Sequence, residues 1–124
     1  MNHITIYQLD ESQERGASLL FLGWERRQQL LASEYPNDKR KMVCLDDYAP
    51  VYETDTEART LEEVFLDFND AFAPQDFAGH SMSVSDLIHV HDDDLLKHGW
   101  YYCNTVGFRA VQVFRKEDEG NAES

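Results

Sequence analysis

Apolar and polar positions alternate at the start of the chain. There, His3-Ile4-Thr5-Ile6-Tyr7-Gln8-Leu9 predicts a β-strand with Ile4 and Ile6 turned to a core, and the polar run Asp10 to Arg15 predicts its exit loop. Leu19 to Leu22 is a short apolar run closed by Gly23. It reads as a strand or extended segment leading into a helix over Trp24 to Ala32, whose Glu, Arg, Gln and Leu content favours that state. Ser33 to Arg40, with Pro36-Asn37-Asp38, predicts a loop. Met42 to Leu45 and Pro50 to Glu53 predict extended segments interrupted at Asp46-Asp47, with Pro50 at a strand start or a sheet edge.

Thr60-Leu61-Glu62-Glu63 has the spacing of a capping box, in which the Thr60 hydroxyl accepts from the Glu63 amide and the Glu63 carboxylate returns the bond. Leu61, Val64, Phe65 and Phe68 then repeat at helical spacing, with Glu62, Glu63, Asp67 and Asp70 off that stripe, until Pro74 ends the element. Met82 to Val84 and Leu87 to Val90 read as extended. One unbroken strand would align Asp86 with the apolar set, so a bend is predicted at Ser85-Asp86. Trp100 to Val106 and Phe108 to Phe114 are strand-like and separated by Gly107, and Asp92 to Gly99 predicts the hairpin connection before them.

Strands outnumber helices without the regular alternation of a doubly wound sheet. The expected fold is therefore a small single-domain α+β protein, two helices packed on a mixed, mostly antiparallel sheet over residues 1–115, with residues 116–124 a polar, disordered tail. The chain length of 124 residues suits one core, and a hydrophobic share of 42% supplies enough apolar surface to offset chain entropy. Two cysteines, Cys44 and Cys103, make neither a disulfide framework nor a zinc knuckle. With no signal-peptide pattern and no long apolar run, the expectation is a soluble cytoplasmic protein.

The distribution of charge is more informative than its total. Residues 1–41 hold six acids and six bases, whereas residues 42–100 hold fourteen acids against Arg59 and Lys97, and the net charge is −13. Such a surface repels nucleic acid and anionic membrane as direct ligands and speeds encounter with a basic protein surface, although net charge also serves plain solubility. The candidate partner-binding carboxylates are Asp46, Asp47, Glu62, Glu63, Asp67, Asp70, Asp92, Asp93 and Asp94. Whether they share one face depends on the fold.

Chemistry-bearing residues are sparse. His89 and His91 lie two apart, hence on one face of a strand, with Asp92 to Asp94 adjacent, so His89, His91 and Asp93 are candidate ligands for a divalent metal in a metal-assisted hydrolase. Against this, hairpin aspartates are ordinarily solvated, and neither a third fixed ligand nor a supporting shell is visible. Cys103 with His80 has the residue types of a nucleophile and base, but a buried strand cysteine is the commoner outcome. Gly79-His80-Ser81-Met82-Ser83 is no nucleophile elbow, because Ser83 stands where a glycine is required. Arg26-Arg27 and Lys39-Arg40-Lys41 read as a solvated helix face and loop rather than a phosphate site. No cofactor is expected.

The run Gly79-His80-Ser81-Met82-Ser83-Val84-Ser85-Asp86-Leu87-Ile88, followed by Tyr101-Tyr102-Cys103-Asn104-Thr105-Val106-Gly107-Phe108, resembles the YodL-like domain family. The opening strand, Val51-Tyr52-Glu53, the Thr60 helix and Asp76-Phe77-Ala78-Gly79 resemble its other landmarks in order, while the Asp92-Asp93-Asp94 turn and the tail depart from it. Domains of this family occur in bacteria, phages and conjugative elements, sometimes joined to anti-restriction modules. The resemblance thus implies a mobile-element or host-interaction setting and supplies no catalytic residues. Together with the charge it leads to a non-enzymatic acidic protein that binds a host protein, a restriction or CRISPR nuclease being one such target. The metal-assisted hydrolase and a homodimeric accessory domain paired through a sheet edge remain the alternatives.

Overall fold

The computed structural model describes residues 1–69, 79 and 81–116. Its elements are β1 (Asn2–Leu9), α1 (Glu14–Leu19), α2 (Trp24–Leu31), α3 (Asn37–Arg40), β2 (Met42–Cys44), a 3-10 turn (Leu45–Asp47), β3 (Tyr48–Thr56), α4 (Leu61–Asp67), β4 (Leu87–Val90), β5 (Gly99–Cys103) and β6 (Phe108–Phe114). One mixed sheet runs in the order β2-β6-β5-β4-β1-β3. It is antiparallel throughout except where β2 lies parallel to β6. The α+β expectation holds in this broader form, with four α-helices among the described residues rather than two.

The period of two in β1 sorts its residues between the two faces of the sheet. Ile4 and Ile6, both fully buried, join Ile88, Val90 and Met82 under Val64 of α4 and Phe68, the residue that caps it. On the other face Leu9, Leu87, Tyr102 and Val43 meet Trp24 and Leu31 of α2 and Leu19 of α1. The capping box forms as read: Thr60 Oγ1 accepts from Glu63 N at 3.1 Å, and Arg59 N donates to Glu63 Oε2 at 2.9 Å. The helix closes at Asp67, and Pro74, its expected stop, lies outside the described residues, as do Asp70, Asp76 and His80.

Several local expectations need correction. The polar run after β1 carries α1, and the apolar run Leu19 to Leu22 is the end of that helix and a turn rather than a strand. The helix docks because Gly16 passes so close to the Asp10 backbone that a Cβ would overlap it, a contact invisible to periodicity. Ser33 to Arg40 includes the single turn α3, and Met82 to Val84 is not a strand. The bend at Ser85-Asp86 is real: Ser85 has φ of 86°. That left-handed conformation is held by Tyr48 Oη donating to Ser85 O at 2.6 Å, Ser85 N donating to Cys103 O at 2.9 Å and Phe21 N donating to Ser85 Oγ at 3.0 Å.

Pro50 sits on β3, an edge strand of the sheet, beside a register shift where Ile6 faces Tyr52 and Tyr7 faces Pro50. There its missing N–H costs no ladder bond. Among the described residues no helix is long and apolar enough to cross a membrane.

Candidate functional site

Helices α1 and α2 cover only part of their face of the sheet. Beyond Tyr7 and Leu87 that face carries polar groups instead, placed in rows by strand register. Asp55 lies opposite His3, and Glu53 opposite Thr5; Thr5 in turn faces His89, and His89 faces Trp100. His91 N donates to His3 O at 2.9 Å, which continues the first row past the end of β4. Two rows, Asp55–His3–His91 and Glu53–Thr5–His89–Trp100, therefore lie side by side.

The side chains interlock. Nδ1 of His3 is 2.8 Å from Asp55 Oδ1, and its Nε2 is 3.0 Å from Glu53 Oε2. Thr5 Oγ1 donates to Glu53 Oε1 at 3.1 Å and lies 2.7 Å from His91 Nε2. The His89 ring stacks on Trp100 at 3.9 Å and 4°, and the His91 ring centre is 4.2 Å from that of His89. Hydrogen bonds to Asp55 and then to Glu53 raise the pKa of His3, and the same His3 contact, followed by that from Thr5, lowers the pKa of Glu53. Burial, then the charge of His91, pushes His89 down to about 4. His3, Glu53 and His91 each offer a ligand atom, all within 4.8 Å of one another.

Only part of this was legible in the sequence. His89 and His91 do share a face, but Asp93 is not their companion: its Oδ1 accepts from His98 N at 2.8 Å and lies 2.7 Å from His98 Nδ1. The sequence reading missed His3 and Glu53. The alternation of β1 places His3 and Thr5 opposite to Ile4 and Ile6, a signal that pointed to their face but not to their neighbours.

The acidic candidates divide. Asp47 is only 3% exposed and accepts from Arg15 Nε at 3.0 Å, so it is an internal ion-pair partner and not a docking group. Asp46 lies at that same end of β1, where Asp10 N donates to Asp47 O at 2.9 Å, and accepts from Lys116 N at 3.0 Å. Asp92, Asp93 and Asp94 are exposed at the opposite end, where the buried Asn2 holds their loop through Nδ2 to Asp92 O at 2.9 Å and Leu96 O at 3.0 Å. An eight-residue strand separates the two groups by roughly 23 Å. On that second end Glu57, Glu63 and Asp67 border one depression, and the Met1 ammonium contacts Asp94 within the field of Glu57 and Asp92. Glu62 is exposed on α4, beside Gly107 and Phe108. The basic pair is corrected as well: Arg26 is exposed, but Arg27 is buried against the ring of Trp24. Cys103 is buried, as expected of a strand cysteine.

No curated protein and no solved structure matches this chain. The sequence model of one family does, over residues 3–114, nearly the full extent of the sheet and its helices. The chain belongs to the YodL-like domain family.

Proposed function

We propose that this domain is a non-enzymatic, acidic interaction module of a phage or mobile element. In this reading it binds a basic surface on a host protein, with a restriction or CRISPR nuclease as the target class. The observation that carries it is the carboxylate rim at one end of the sheet, where Glu57, Glu63, Asp67, Asp92, Asp93 and Asp94 gather from three chain segments. A rim of one sign raises the rate of encounter with an opposite surface and imitates the spaced charge of a nucleic-acid backbone. The setting in phages and conjugative elements that the family resemblance implies supplies the class of partner. Asp46 and Asp47, at the far end, have no part in it.

The test is affinity capture of the tagged chain from bacterial lysate at low and high salt, with retained proteins identified by mass spectrometry. A nucleic-acid-processing protein retained at low salt, released at high salt and lost by the Glu57→Lys/Asp67→Lys/Asp94→Lys chain is the expected result. Exposed charges act within a Debye length of about 8 Å at physiological salt, so the loss should be steep. Equal capture by the charge-reversed chain would refute the proposal.

A further inference from the structure

We propose that His3, Glu53 and His91 form a binding site for a divalent transition-metal ion of the zinc type. Their ligand atoms converge within 4.8 Å from β1, β3 and the residue that follows β4. Two imidazoles and one carboxylate suit a borderline ion such as zinc, whereas magnesium and calcium favour all-oxygen shells. A tetrahedral zinc site needs its ligand atoms about 3.3 Å apart, so no pair has to close by more than about 1.5 Å, within the reach of side-chain rotation.

A second observation favours a cation there. Asp55 engages Nδ1 of His3 at 2.8 Å and leaves Nε2 facing Glu53 at 3.0 Å. A carboxylate on one imidazole nitrogen fixes the ring and aims the other nitrogen at a metal, the usual support for a ligating histidine. Thr5 Oγ1 lies between the other two ligands, 3.1 Å from Glu53 and 2.7 Å from His91. Stacking of His89 on Trp100, with His91 against it, limits how far the His91 ring can turn away. The metal would bridge β1 and β3 in the position now spanned by the His3–Glu53 ion pair, and three protein ligands leave one position for water.

Calorimetric titration of the full chain, carrying a C-terminal tag free of histidine and dialysed against chelator, tests this. The expected result is one equivalent of Zn²⁺ bound, with Mg²⁺ at least about 100-fold weaker. His91→Ala and Glu53→Gln should each weaken zinc by about tenfold or more, Asp55→Asn by about tenfold, and Asp93→Asn should change nothing. At a hundredfold excess over Kd, zinc should raise Tm by roughly 5–10 °C. If His91→Ala unfolds, amide chemical shifts of the unaltered chain decide the matter, with zinc-induced changes centred on His3, Glu53 and His91. No binding below about 1 mM zinc, binding untouched by His91→Ala and Glu53→Gln, or shifts centred on the Asp93–His98 pair would overturn the assignment.

Discussion

Replacing Arg27 with alanine should destabilise the fold by about 3 kcal/mol, although the neighbouring Arg26 can be removed at almost no cost. Arg27 is 3% exposed, and its guanidinium donates from Nη1 to Arg40 O at 3.0 Å and from Nη2 to Met42 O at 3.1 Å. These carbonyls flank the entry to β2, a three-residue strand attached to the sheet through β6. The pKa of Arg27 is lowered chiefly by burial, so the charge gains from its carbonyl partners while paying for lost water. A hydrogen bond to a charged group is worth about 1.5–3 kcal/mol, and relief of the guanidinium's desolvation returns part of the sum of two, leaving about 3 kcal/mol. At about 2.1 cal/mol/K of unfolding entropy per residue, the 124-residue chain should lose roughly 11 °C in Tm. With a urea slope of about 1.5 kcal/mol/M, its midpoint should fall by about 2 M. Arg27→Lys keeps the cation but not the fork that spans two carbonyls, and should recover about half. Arg26 is exposed and, among the described residues, its side chain bonds only Gln29 within its own helix, so Arg26→Ala should change stability by less than about 0.5 kcal/mol. Urea unfolding followed by circular dichroism measures all three. Arg27→Ala and Arg26→Ala variants of equal stability would refute the reasoning.

Two further outcomes follow from the same packing. In the metal-free chain His89 should titrate near pH 4, because burial and then the charge of His91 oppose its protonation. A depressed folded pKa means that the unfolded chain binds the extra proton. The contribution of His89 to stability is therefore full above about pH 6.5 and declines as the pH falls from there towards 4. Ring chemical shifts measured against pH report it, and a midpoint at or above 6.5 contradicts the stacked geometry. Cys103, whose thiol is pushed up to about 12 by burial and then by the charge of Asp86, should resist alkylation at pH 8 until the chain is unfolded. Peptide mass spectrometry of timed reactions checks this, and rapid native labelling would show an accessible thiolate.

Local pattern alone determined a good deal of this protein. Alternation identified β1 and its buried pair Ile4 and Ile6, and the Thr60 capping box located the start of α4, though not its end at Asp67, because both signals depend on contacts only two to four residues apart. The misplacement of Asp86 in the apolar pattern announced the bend at Ser85 for the same reason. Helix α1 was hidden because six residues of modest propensity form a helix only by docking against β1, and tertiary contact rather than periodicity supplies that energy. Arg27 looked like one half of a solvated pair because nothing adjacent in sequence reveals that Arg40 and Met42 turn their carbonyls towards it.

The candidate site divides along the same line. The spacing of His89 and His91 was enough to put them on one face, since alternation in a strand is local. Their companions were not legible, because register between β1, β3 and β4 joins residues some fifty to ninety positions apart. Only the folded sheet selected Glu53 and His3 over Asp93, buried Asp47 and divided the acidic residues between opposite ends of β1.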